Sequence, residues 1–251
     1  MFKSIVFILA ALAGKNQKYY TKIILFLFFN PVSQGQLYLG SVESQNPSIS
    51  NTRLKYIKNA VNNITRSMIK TTCSGYLNRL ENAIMALYEC SESIDMENET
   101  ICSAFNGNFE KCTQPTVQVF EECLPKKSRK IPSMVVRMGL KSMKYICKTN
   151  GEHLLELKNR CFTTPTIQLI KCMKKFETTK EKYMGSNSYI SAKEVCELLE
   201  KLKPCLISHL QISCRHPTTR EAFIDFVEEG VLSICKNIVT KEIELDESQI
   251  S

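Results

Sequence analysis

The sequence predicts an all-α fold, a disulfide-rich helical array carrying tandem Cys and Pro-Thr elements. Three observations predict it. All twelve cysteines fall between Cys73 and Cys235. Apolar residues recur among them at the three- and four-residue spacing of a helix face. Few alternating β-branched runs occur, and there are only nine glycines and no Trp, which argues against a sandwich or barrel. At 251 residues, 43% hydrophobic and 23% charged, the chain can bury a core as one large domain or as two packed halves.

The N-terminus reads as an export signal over residues 1–13. Lys3 supplies the positive start, Ile5 to Ala13 the apolar run, and Ala11-Leu12-Ala13 the small residues that cleavage requires. Cleavage near residue 35 is the alternative, with Ser33 and Gly35 in the small-residue positions. Residues 14–50 form a polar leader interrupted by a second apolar run, Ile23 to Phe29, and the stretch from Lys15 to Gln34 has the look of a gene-model join. Neither apolar run reaches the ~20 residues needed to cross a bilayer, so no membrane span is expected.

The disulfide-rich helical domain is expected over residues 51–236. Leu54, Ile57, Val61, Ile64 and Met68 make one helical stripe, and Leu77, Leu80, Ile84 and Leu87 make a second between Cys73 and Cys90. Further helices are predicted at 116–123, 133–148, 152–160, 166–176, 191–203, 205–213 and 218–236. Residues 237–251 form an acidic tail, expected to be frayed.

Cysteine spacing repeats. Cys112, Cys123 and Cys147 recur 49 residues later as Cys161, Cys172 and Cys196. A Pro-Thr pair follows Cys112, Cys161 and Cys214, at Pro115-Thr116, Pro165-Thr166 and Pro217-Thr218. Proline is tolerated in the first turn of a helix, and a flanking Thr can cap the free N–H groups there. Each copy is therefore expected to start a helix. Pro204 is expected to separate two helices into a hairpin stapled by Cys196, Cys205 and Cys214. Positions nine apart on one continuous helix point to opposite sides, so this spacing demands either that turn or partners on different neighbours.

All twelve cysteines (Cys73, Cys90, Cys102, Cys112, Cys123, Cys147, Cys161, Cys172, Cys196, Cys205, Cys214 and Cys235) are expected to be disulfide-bonded in an oxidising compartment. Spacing leaves the connectivity open. Two sequons, at Asn63 and Asn98, mark glycosylation sites consistent with secretion.

Chemistry is sparse. No two cysteines are closer than nine residues, which removes the close Cys pairs of structural zinc sites and the Cys-x-x-Cys of redox proteins. His153, His209 and His216 lie in no hydrolase motif. No catalytic, metal or cofactor site is expected, and the protein is read as no enzyme. The net charge of +8 is spread along the chain, densest at Lys126-Lys127-Ser128-Arg129-Lys130. No interleaved aromatic residues accompany that run, so nucleic acid is not an expected partner. It is read as a solvated loop or as a contact for an extracellular protein. Met68, Met85, Met134, Met138, Met143, Met173 and Met184 either pack the core or line a cavity for a small apolar ligand.

The second half carries a specific resemblance. Tyr145-Ile-Cys147, Cys161, Ile170-Lys-Cys172, the run from Val195-Cys196 through Pro204-Cys205 to Cys214, and the closing Pro217-Thr218 segment ending at Cys235 resemble the insect 27-kilodalton hemolymph glycoprotein family. The likeness covers roughly residues 50–236 and is strongest from 145 onward. It implies a secreted, helical protein of body fluid with no recognised catalytic residues and no settled activity. Binding or defence is the expected role, and carriage of a small apolar ligand or lipid is the alternative.

Overall fold

Leu80, Ala83, Ile84 and Leu87 lie on one face of helix α1 (Leu77–Glu92) and bury there against α2 (Ile101–Cys123). In this computed structural model the described residues are 73–95, 98–162, 164, 166–184, 189–236 and 238. The expected signal, leader, first helix, Asn63 sequon and the acidic tail beyond Ile238 lie outside them. After α2 come α3 (Ile131–Lys148), the short α4 (Gly151–Glu156), α5 (Ile167–Met184), α6 (Ala192–Ser213) and α7 (Pro217–Asp225). The last continues through a π-helical stretch, Phe226–Leu232, and a further α turn. Among the described residues there is no strand, so the all-α reading stands.

Six disulfides divide the chain in two. Cys73–Cys123, Cys90–Cys112 and Cys102–Cys147 close the first half. Cys161–Cys214, Cys172–Cys205 and Cys196–Cys235 close the second. Counted in chain order within each half, both sets join first to fifth, second to fourth and third to sixth. Each half is thus a three-helix module on one bridge plan. An antiparallel hairpin (α1/α2 or α5/α6) is stapled twice, and the start of its second helix is tied to the end of a third (α3 or α7).

The third helices meet at the seam. Ser142 and Gly230 stand five residues before Cys147 and Cys235, the sixth cysteine of each module. These corresponding positions touch: Ser142 Oγ donates to the Gly230 carbonyl at 3.1 Å. A Cβ on Gly230 would lie 3.0 Å from the Ser142 Cα, so glycine is what permits the close approach. Tyr145 meets the Phe226 ring edge-on at 5.9 Å, and the two helices therefore cross antiparallel about the Ser142–Gly230 contact. Burial pushes the Tyr145 phenol above its ordinary range. Met134 and Met138 of α3 join the second module's core, while Val135 of the same helix joins the first.

Several predicted boundaries are corrected. Pro115 and Pro204 both lie inside continuous helices, α2 and α6. The first Pro-Thr copy starts no helix, and the hairpin at Pro204 does not exist. A helix-interior proline leaves the carbonyl four residues earlier without its donor. Those carbonyls belong to Lys111 and Glu200, both exposed residues where water can serve them. Thr116 instead donates to the Ala83 carbonyl at 3.2 Å, joining α1 to α2. The other two copies do start helices. Thr166 Oγ1 accepts from the Leu169 N–H at 3.0 Å, and Pro217 opens α7. Helix α2 begins well before the predicted 116, at Ile101, because Thr100 Oγ1 accepts from the Ser103 N–H at 3.1 Å. The predicted 152–160 helix is shorter, α4 followed by a 3₁₀ turn at Arg160–Phe162. The predicted 166–176 helix runs on to Met184.

Candidate functional site

On continuous α6, Cys196, Cys205 and Cys214 point in different directions and reach three different partners, on α7's extension, α5 and the turn before α5. Two of these bridges floor a groove. Cys172–Cys205 and Cys196–Cys235 line a space of about 1440 Å³ between α5 and α6, with Phe176, Leu202 and Pro204 along it. Lys175, Glu200, Lys201 and Lys236 stand exposed at its rim.

The rim is partly ordered. Lys201 Nζ donates to Tyr183 Oη at 2.6 Å, and that hydroxyl donates to Glu197 Oε2 at 2.7 Å. The Lys201 ammonium also lies 4.8 Å from the Tyr183 ring centroid, a cation–π contact. Helix α6 is fixed at its start by a full capping box. Ser191 Oγ accepts from the Glu194 N–H at 3.1 Å, and Glu194 Oε2 accepts from the Ser191 N–H at 2.7 Å.

The basic run singled out by charge has a structural role instead. Lys127 Nζ pairs with Glu194 Oε1 at 2.9 Å, Ser128 Oγ donates to the Ile190 carbonyl at 2.7 Å, and Arg129 Nε donates to the Leu124 carbonyl at 3.1 Å. This loop therefore buttons the first module to the capped end of α6, leaving Lys126, Arg129 and Lys130 exposed. Burial acts to raise the Glu194 carboxyl, but the Ser191 N–H and Lys127 outweigh it and hold the group below its usual range.

The histidines are scattered. His209 is fully buried in α6. Its Nε2 faces the Phe162 carbonyl at 3.0 Å and its Nδ1 the Thr166 hydroxyl at 2.9 Å. A carbonyl can only accept, so Nε2 carries the proton. Thr166 Oγ1 already accepts from Leu169, which leaves its own hydrogen for Nδ1. His209 thus ties α6 to the turn leading into α5, a role its sequence context did not signal. His153 lies half-buried on α4, and His216 stands exposed just before α7 with no capping hydrogen bond from its side chain. Among the described residues none of the three bonds to a carboxylate, and no three ligating side chains converge on a metal position.

Four of the methionines take the packing role: Met134, Met138 and Met143 are buried, Met173 packs partly buried against the second core, and none of these four lines the groove. Of the sequons, Asn98 is exposed in the α1–α2 connection, its amide donating to Asp95 Oδ2 at 2.6 Å. All twelve cysteines are bridged, with none free. No helix among the described residues is long and apolar enough to cross a membrane.

The chain belongs to the family described as protein of unknown function (DUF1397), which matches residues 44–230. No curated protein and no solved structure matches it.

Proposed function

We propose that this member of a family without assigned function is a secreted, non-enzymatic binding protein of body fluid that holds an elongated apolar ligand between α5 and α6. The groove carries the reading. At about 1440 Å³ it exceeds the ~300–1,000 Å³ of common small-molecule sites. Two disulfides fix its floor, so it needs little reorganisation to receive a ligand. The resemblance to insect hemolymph glycoproteins, the export signal and six bridges support an extracellular setting. The exposed Asn98 supports passage through the glycosylating route. Burial of His209 between a carbonyl and a threonine hydroxyl supports a structural histidine over a catalytic one.

Organic extraction of the purified native protein, followed by mass spectrometry, tests the reading. The expected result is one apolar compound in near-stoichiometric yield. A blank extract, together with no uptake of any apolar fluorescent probe, refutes it.

A further inference from the structure

The two modules share a bridge plan, yet only the second extends its first helix past the staple. Helix α1 ends at Glu92, two residues beyond Cys90, whereas α5 continues twelve residues beyond Cys172, to Met184. Those extra turns supply Lys175, Phe176 and Thr179, one wall of the groove. The bridge plan closes without them in the first module, so the scaffold alone does not account for this wall.

From its charges we infer that the groove selects an anionic single-chain amphiphile, its head between Lys175 and Lys201 and its tail along Phe176, Leu202 and Pro204. This rests on the ligand-binding reading above. The lining holds three ammonium groups, on Lys175, Lys201 and Lys236, against two carboxylates, on Glu197 and Glu200. One of the carboxylates is engaged within the rim itself. Glu197 accepts from the Tyr183 hydroxyl at 2.7 Å. Glu200 stands exposed at the rim, and the nearby Lys203 pairs with Glu228 at 2.8 Å. Lys175 and Lys201 are less committed. Lys201 spends one of its three N–H donors on Tyr183, and that bond aims the group while leaving two donors for a ligand. Neither Lys175 nor Lys201 has an ion-pair partner among the described residues. A carboxylate seated there would gain charge-assisted hydrogen bonds that an ester or alcohol of the same chain cannot match.

The test uses the full-length, oxidised protein stripped of bound lipid, titrated with cis-parinaric acid and with its methyl ester by fluorescence. The acid is expected to bind about tenfold more tightly than the ester, the scale of one charge-assisted bond. That preference is expected to collapse in K175Q/K201Q. K175Q alone changes an exposed side chain and serves as the variant certain to leave packing intact. Equal binding of acid and ester overturns the head assignment while the groove reading survives. Binding of neither overturns both. A tenfold preference that persists in both variants places the anion elsewhere and overturns the assignment as well.

Discussion

The second module carries a groove beside its central staple, walled by an extended α5, whereas the first module's α1 stops two residues past its own staple. Phe109 of α2 and Leu202 of α6 both stand three residues before the fourth cysteine of their module, Cys112 and Cys205. Phe109 is partly buried against the first core and stacks on Phe105 with ring centroids 4.2 Å apart. Leu202 is buried in the second core and also lines the groove. The spacing between the second and third cysteine accounts for the difference. It is 12 positions from Cys90 to Cys102, but 24 from Cys172 to Cys196. The longer span lets α5 run on beside α6 and builds a wall with no counterpart in the first module. A shared covalent plan thus fixes the hairpins and the third helix. The wall beside the hairpin is set by connection length.

The bridges offer the largest test of this comparison. Non-reducing digestion should yield only peptides joined within 73–147 or within 161–235. A single peptide linking the two sets breaks the two-module plan. The bridges Cys102–Cys147 and Cys196–Cys235 close similar spans, 45 and 39 residues. Loop entropy predicts about 4 kcal/mol for either. Cys196 and Cys235 are buried, whereas Cys102 and Cys147 are partly exposed. C196A/C235A should therefore cost about 1 kcal/mol more than C102A/C147A, from lost packing. Urea unfolding of the two variants measures it. Equal losses would mean that burial adds nothing to the tether.

The seam gives a contrast of sign. Gly230→Ala places a methyl 3.0 Å from the Ser142 backbone, which cannot swing aside as a side-chain tip can. We expect a loss of about 1–2 kcal/mol, overpacking less the gain in helix propensity. Gly107, in the interior of α2, meets nothing within 4 Å. Gly107→Ala should stabilise by about 0.5–1 kcal/mol through propensity alone. Thermal melts in which both variants shift the same way would remove the close crossing of α3 and α7 as a feature of the fold.

Much of this was legible from sequence because apolar periodicity and cysteine content speak locally. The stripe Leu77, Leu80, Ile84, Leu87 is the buried face of α1, and the Pro217 start of α7 follows from proline chemistry. The repeat was legible in the wrong register. The 49-residue spacing matches the fourth to sixth cysteines of one module with the first to third of the next, which have different partners. The structural correspondence, Cys73 with Cys161 and Cys147 with Cys235, spans 88 positions and is masked by unequal gaps between. Pro115 and Pro204 misled for a physical reason. Proline costs a helix one bond, and tertiary packing plus a bridge at Cys112 or Cys205 outweighs that cost. The groove was not legible at all. It depends on how far α5 continues beside α6, a distance that no local pattern records.

The helix caps provide the finest discrimination between the modules, because one titrates and the other does not. Helix α2 is capped by the neutral hydroxyl of Thr100, and α6 by Ser191 with Glu194, which Lys127 also holds. The Glu194 carboxyl is depressed in the folded protein. Its contribution is therefore complete above the ordinary carboxylate range and fades as pH falls through the lowered folded value. Glu194→Gln keeps a capping amide but loses the charge. At neutral pH it should cost about 0.5 kcal/mol, a partly exposed pair being weak. The difference from the parent should shrink toward zero in acid. Thr100→Ala should cost about 1 kcal/mol at every pH, since the hydroxyl it removes does not ionise. Denaturant midpoints of both variants from neutral pH down through the carboxylate range decide it. If the Glu194→Gln deficit is flat with pH, Lys127 does not bind the first module to the second through charge, and Ser128 holds that junction by its hydrogen bond to Ile190 alone.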